Sequence, residues 1–174
     1  ELGYQKGIAK AVNTLGDIFF YLKHYERSIH FYDRAIEVTR RIDNKLVLGF
    51  SLVEKGTVLL EKPSLGNLAE VSAEAQQVAI ELGNPDLLFR ARLLSAKTQI
   101  QNNELAQARA SLEKLQQDFP ETAHQADTLF ELALVFPEVD KYRLTALELY
   151  ERLYLATPHF TYQERIQQLT SSQS

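Results

Sequence analysis

The side chains that could do chemistry are few and scattered along this chain of 174 residues. It contains no cysteine, so it offers no disulfide, no thiolate nucleophile and no zinc site built on cysteine. The four histidines are His24, His30, His124 and His159, and no two have the i, i+4 spacing at which imidazoles share a metal. The glycines stand singly and form no phosphate-binding loop. We therefore predict that the chain is not an enzyme and binds no metal or cofactor.

Charge and hydropathy restrict the partners further. The net charge is −4, and no run of basic residues occurs, whereas binding to phosphate backbones needs concentrated positive charge. We predict no nucleic-acid partner. No apolar run approaches the roughly 20 residues that cross a bilayer, so no membrane span is expected. The cysteine-free composition fits a reducing compartment and favours a cytoplasmic location.

A repeat with a period of 40 residues organises the elements that must position these side chains. The shift places residues 16–20 on residues 56–60, and residues 42–44 on residues 82–84. It also carries Gly16 and Gly56 onto Ala96. A fixed period of this length is typical of folds built from stacked supersecondary units.

Each unit has the apolar spacing of two helices. The first apolar stripe consists of Ile8, Val12, Leu15, Phe19 and Leu22, and the second of Tyr25, Ile29, Tyr32, Ala35 and Ile36. Because only a short polar connection separates them, we predict an antiparallel helical hairpin. Small residues recur where two helices must approach closely: Gly16, Gly56 and Ala96 on first helices, and Ala108 and Ala146 on second helices.

The first hairpin resembles the tetratricopeptide-repeat (TPR) family. Leu15-Gly16 followed by Phe19, then Ser28, then Tyr32 with Ala35, matches the family pattern. Later units contribute Leu105, Ala108, Leu112, Leu115 and Pro120, and then Ala146, Tyr150, Leu153 and Pro158. Four residues depart from the family pattern: Val12, Leu68, Arg92 and Gln99. Arg92 and Gln99 occupy positions where apolar residues are expected, which indicates that the first helix of the third unit is rotated about its axis. The period of 40 residues is longer than the family's usual period of about 34. In this respect the chain resembles the extended-helix TPR variety found in bacterial signalling and regulatory proteins and in cell-division scaffolds.

The resemblance implies an all-α fold, a right-handed α-solenoid (superhelix) of antiparallel helical hairpins. The expected units are residues 1–4 as the end of a preceding repeat, 5–42, 44–83, 85–119 and a degenerate 121–157, then a capping helix at 160–170 and a disordered tail at 171–174. Residues 1–3 match residues 81–83, and the chain begins without Met. We therefore expect a fragment of a longer protein.

The resemblance also implies where a partner binds, because first helices line the concave face of a TPR solenoid. The expected contact residues are Lys10, Asn13, Asp17, Phe20, Tyr21, Phe50, Val53, Thr57, Leu60, Arg90 and Lys97. Several are apolar, as in surfaces that bind a peptide or helix, although packing against neighbouring repeats explains them equally well. The family's carboxylate clamp is not predicted, because Asp17 and Val53 occupy positions where it needs polar donors.

Three functions are compatible with the sequence. The first is a protein-interaction module that binds a peptide or helix of a partner, or of another domain in the same chain. The second is a homodimer formed through an exposed end of the solenoid. The third is a peptide-sensing domain that regulates a fused signalling enzyme.

Overall fold

The computed structural model describes residues 2–171, and this part of the chain is all-helical without β-strands. The α-helices are α1 Leu2–Tyr21, α2 Tyr25–Arg41, α3 Lys45–Glu61, α4 Leu68–Leu82, α5 Pro85–Gln101, α6 Leu105–Asp118, α7 Thr122–Val135, α8 Asp140–Ala156 and α9 Phe160–Ser171. A 3-10 turn, Pro63–Leu65, separates α3 from α4. Within residues 2–171 no helix has both the length and the apolar character needed to cross a membrane.

The chain divides into two compact units, Glu1–Gln101 and Asn102–Ser174, which we call unit 1 and unit 2. In unit 1 each helix packs against the next, and α3 also contacts α1 and α5. In unit 2 the pairs α6–α7, α7–α8 and α8–α9 are packed. The predicted repeat at 85–119 is thus divided, because α5 packs on α3 and α4 of unit 1.

Helix ends differ from the predicted unit boundaries at both termini. Residues 2–4 form the first turn of α1, so no break separates them from the first hairpin as the predicted boundary required. At the other end α9 continues through Thr170 to Ser171, where a disordered tail was expected. The rest of that expected tail, residues 172–174, lies outside the described part of the chain.

Local sequence signals explain where several helices begin. The side-chain oxygens of Asn44, Asn67 and Asn84 accept hydrogen bonds from the amides of Val47, Glu70 and Leu87, respectively. Such caps satisfy amides that have no partner within the helix. Helix α5 begins at Pro85, directly after its Asn84 cap. The preceding Gly83 has a φ of 64°, the left-handed conformation that glycine adopts without strain.

The first hairpin is built around contact between a glycine and a tyrosine. A Cβ atom placed on Gly16 would lie 2.6 Å from Cε1 of Tyr32, so only glycine lets the ring lie on α1. The Ser28 hydroxyl donates a 2.9 Å hydrogen bond to the Gly16 carbonyl, and the Tyr32 hydroxyl donates a 2.7 Å bond to Asp17. The predicted close approach at Gly16 is confirmed.

Gly56, in the same position of the next hairpin, serves a different contact. A Cβ there would collide with the side chain of Leu94, which belongs to α5 rather than to the hairpin partner α4. Position 72, which the 40-residue shift relates to Tyr32, is a buried serine and leaves the α4 side of Gly56 without a large ring. The glycine at this position therefore allows close packing, but of a different helix pair.

Candidate functional site

The candidate site is the surface where α1, α3 and α5 lie side by side in unit 1, which we call the first-helix face. The Ser51 hydroxyl on α3 donates a 2.7 Å hydrogen bond to the Asn13 side-chain oxygen on α1. On the other side of α3, Arg90 of α5 lies 3.8 Å from the Glu54 carboxylate. These two contacts join three successive first helices; Ser51 is fully buried, whereas Asn13, Glu54 and Arg90 retain exposed area.

Arg90 is the most fully constrained cation on this face. Its Nε lies 3.2 Å from an Asp86 carboxylate oxygen one helical turn earlier, and its guanidinium lies 5.9 Å from the centroid of the Phe50 ring. With Glu54, two carboxylates and one aromatic ring therefore fix the position of the guanidinium. Its charge is balanced locally by these two carboxylates.

The aromatic and aliphatic residues expected on the face are partly buried. The side chains of Phe20, Phe50 and Leu60 pack against the core of unit 1 and retain a partly exposed surface. Tyr21 is 65 % exposed, and its ring lies edge-on to Phe20 with 6.2 Å between centroids. Both interpretations of these residues therefore apply, since each of the first three contributes to the core and to the surface.

Val53 does not belong to this surface. Its side chain is 5 % exposed and lies in the hydrophobic core, so it has no area to offer to a partner. The next residue, Glu54, lies at the face instead and pairs with Arg90 of α5. Glu54 and Lys55 are the two charged residues in the interior of a mostly apolar helix, and this pair was the sequence signal that could have identified Glu54.

The remaining expected residues are positioned less directly. Asp17 accepts the hydrogen bond from Tyr32, which fixes its carboxylate at the base of the face. The Thr57 hydroxyl donates to the Val53 carbonyl of its own helix. Lys10 is exposed on α1, and Lys97 is half-buried on α5 two turns after Arg90. Direct contacts thus link Asn13 to α3 and Arg90 to Phe50, while Lys10 and Lys97 lie on the same helices as Asn13 and Arg90.

Burial controls the ionisation of the acidic groups at the face. Loss of hydration raises the pKa of Glu54 above its ordinary value; nearby Arg90 partly opposes this change, and Asp17 adds to it. Burial and the adjacent Asp17 carboxylate likewise raise the pKa of Tyr32, so its hydroxyl stays protonated and remains a donor. Burial thus favours the protonated form of both groups.

A groove lies on the side of unit 1 formed by α2 and α4. This groove between α2 and α4 has a volume of about 430 Å³, with Leu52 and Lys55 of α3 at its base. Two ion pairs occupy it, Lys55 with Asp33 at 2.6 Å and Arg40 with Glu74 at 2.5 Å. These ion pairs join α2 to α3 and α2 to α4.

Neither a metal cluster nor a known relative adds to this picture of the site. Among the described residues no group of three or more His, Asp or Glu side chains is arranged to hold a metal ion. No protein-family model matches the chain, and no curated protein or solved structure matches it significantly.

Proposed function

We propose that this chain is a TPR-like scaffold whose first-helix face binds a segment of another protein or of another domain. The observation that carries the proposal is the alignment of α1, α3 and α5, joined by the Asn13–Ser51 and Glu54–Arg90 contacts. Half-buried rings beside fixed charges give both apolar area and orientation to a docked peptide or helix. The packing of each helix of unit 1 against the next supports a solenoid architecture.

Arg90 and Phe50 are expected to dominate binding at this face. Arginine and aromatic residues are enriched among residues that carry most of the binding energy of protein interfaces. The Arg90 guanidinium is already positioned by Glu54, Asp86 and Phe50, so little side-chain entropy is lost when a partner contacts it. A cytoplasmic scaffold of a regulatory pathway is the context we propose, on the basis of the cysteine-free composition and the repeat pattern.

A displayed library of random peptides tests this proposal without an identified partner. Each peptide is about 20 residues long, so that it can cross several helices of the face. Peptides are selected on the unmodified chain and then measured against Arg90→Glu and Phe50→Ala. We expect each substitution to weaken the selected peptides at least about tenfold, because about 1.4 kcal/mol or more is lost. Arg41→Glu, an exposed residue of α2 paired with Glu37, is the matched control and should leave binding unchanged.

Circular dichroism of the three variants must show unchanged helicity, so that a lost interaction is not mistaken for unfolding. If the selected peptides bind Arg90→Glu and Phe50→Ala as tightly as the unmodified chain, the assignment of the first-helix face is wrong. If no peptide from the library binds, a contiguous protein segment is not the ligand of this face.

A further inference from the structure

Exposed apolar side chains are concentrated on one side of α1. Tyr4 is 73 % exposed, Leu15 39 %, Ile18 47 % and Leu22, just after the helix, 60 %. The single apolar stripe expected on this helix is thus divided, because Val12 is buried whereas Leu15 and Leu22 face outward. Other large exposed apolar residues of unit 1 are Tyr21 on another side of α1, Leu46 on α3, and Ile80 and Leu82 on α4.

The exposed side of α1 has the spacing of a coiled-coil seam. Its members are Tyr4, Ile8, Ala11, Leu15, Ile18 and Leu22, which alternate at intervals of four and three residues. This is the a/d heptad pattern that packs one helix along another. The flanking e and g positions of the seam carry no charged residue, and Lys6, Lys10 and Asp17 fall at the remaining positions of the heptad. The seam therefore suits an uncharged, helical partner surface.

The seam is complementary to itself when two copies run antiparallel. That arrangement places Tyr4 opposite Leu22, Ile8 opposite Ile18, and Ala11 opposite Leu15 of the other copy. Each pair joins an a position to a d position, and the small Ala11 meets a large residue instead of another alanine. A parallel pair would stack Ala11 on Ala11 and leave a gap, and it would also align the two helix dipoles.

We infer that the α1 seam binds a second copy of this chain, and that the two α1 helices pack antiparallel about a twofold axis. The exposed patch has a size of several hundred Å², and pairing two such patches buries about 1,000 Å² in total, near the lower limit for a specific interface. The twofold arrangement satisfies both seams at once and leaves no complementary edge exposed. The first-helix face uses different residues of α1, so this inference does not depend on the proposed function.

Sedimentation equilibrium between about 1 and 100 μM tests whether the seam forms a dimer in this affinity range. We expect the unmodified chain to dimerise, and Ile18→Glu to weaken the dimer at least about tenfold because the glutamate is buried opposite Ile8. Ile80→Glu, at an exposed site on α4, is the matched control and should dimerise normally. A monomer throughout the range, or a dimer that Ile18→Glu leaves intact, overturns the inference.

Cysteine cross-linking tests the antiparallel direction, since the chain contains no other cysteine. We expect Tyr4→Cys mixed with Leu22→Cys to form a disulfide between copies under mild oxidation. Each variant alone should not cross-link, because equal positions at one end of the seam then lie about 27 Å apart, at 1.5 Å per residue. Efficient cross-linking of Tyr4→Cys with itself would contradict the antiparallel pairing and indicate a parallel one.

Discussion

The hairpin α1–α2 of unit 1 and the hairpin α7–α8 of unit 2 bury a tyrosine in the same way on different local sequences. Tyr32 donates a 2.7 Å hydrogen bond to Asp17, and Tyr150 donates a 2.7 Å bond to Asp127. Both tyrosine rings are 1 % exposed. The aspartate precedes its tyrosine by 15 residues in one hairpin and by 23 in the other, mainly because Asp127 and Tyr150 lie farther from their connecting loop than Asp17 and Tyr32 do.

The residue before each aspartate shows what the two hairpins do not share. Gly16 leaves room for the Tyr32 ring to lie directly on α1, whereas the corresponding Ala126 carries a methyl group. Tyr150 instead has ring contacts with Phe130 and Tyr162, at centroid distances of 6.2 and 6.0 Å. The aspartate–tyrosine hydrogen bond is therefore the common element, and the glycine is one of two ways to accommodate the ring.

Substitution of the small residue before each aspartate should produce the largest difference in unfolding free energy between the two hairpins. Gly16→Val puts a branched side chain into the Tyr32 ring, so we expect a loss of up to about 3 kcal/mol of unfolding free energy. Ala126→Gly opens space and loses helix propensity, a cost of about 1 kcal/mol. Urea unfolding measures both values, and hydrogen exchange assigns them to α1–α2 or α7–α8. Equal losses would mean that the two positions are equivalent after all.

Removal of each tyrosine hydroxyl should show how similar the hydrogen bonds are. We expect Tyr32→Phe and Tyr150→Phe each to lower the unfolding free energy by about 1–2 kcal/mol, because a part-buried aspartate loses its donor. The rings remain, so packing is little changed. A loss confined to one of the two variants in urea unfolding would show that only that hairpin depends on the bond.

Asp127 should give the smallest effect, and one that depends on pH. Burial raises the pKa of Asp127, while the Tyr150 hydroxyl and Arg165 partly oppose that shift. Protonation therefore favours the folded state, and this stability is present below the ordinary aspartate pKa and is lost as pH rises through the elevated folded value. Asp127→Asn keeps an acceptor for Tyr150 and removes the buried charge.

At neutral pH we therefore expect Asp127→Asn to raise the unfolding free energy by up to about 1 kcal/mol, with the gain disappearing in acid. Thermal unfolding of both proteins between about pH 3 and 8 measures the difference. Asp118→Asn, at an exposed position of α6, provides a control for a change of net charge. A gain that is constant across pH would exclude the buried charge as its cause.

The sequence predicted the helices better than the surfaces they present. The helical hairpins and the close approach at Gly16 followed from local rules and are confirmed. Those rules act over a few residues and do not depend on which helices lie nearby. Ala96 is fully buried, as its alignment with Gly16 and Gly56 predicts, although Arg92 and Gln99 had indicated a rotated α5.

The errors arose where a helix has more than one neighbour. α3 contacts α1, α2, α4 and α5, so Val53 is buried on a side that a two-helix picture leaves open, and Glu54 takes its place at the surface. Asp127 was missed because the family pattern describes apolar and small positions and not the acceptor beside them. Contacts between helices that are distant in sequence decide both cases, and periodicity along one helix does not contain them.

The turns that bound α3 and α4 have a consequence for how such a chain can change in evolution. Asp43 and Gly83 both adopt the left-handed conformation, with φ of 50° and 64°, two residues before the next helix begins. The 40-residue shift relates one to the other. A segment that starts and finishes in the same turn can be duplicated or deleted without altering the backbone at the junction. Residues 44–83 thus form a cassette, by which the number of hairpins can change while the turn geometry stays constant.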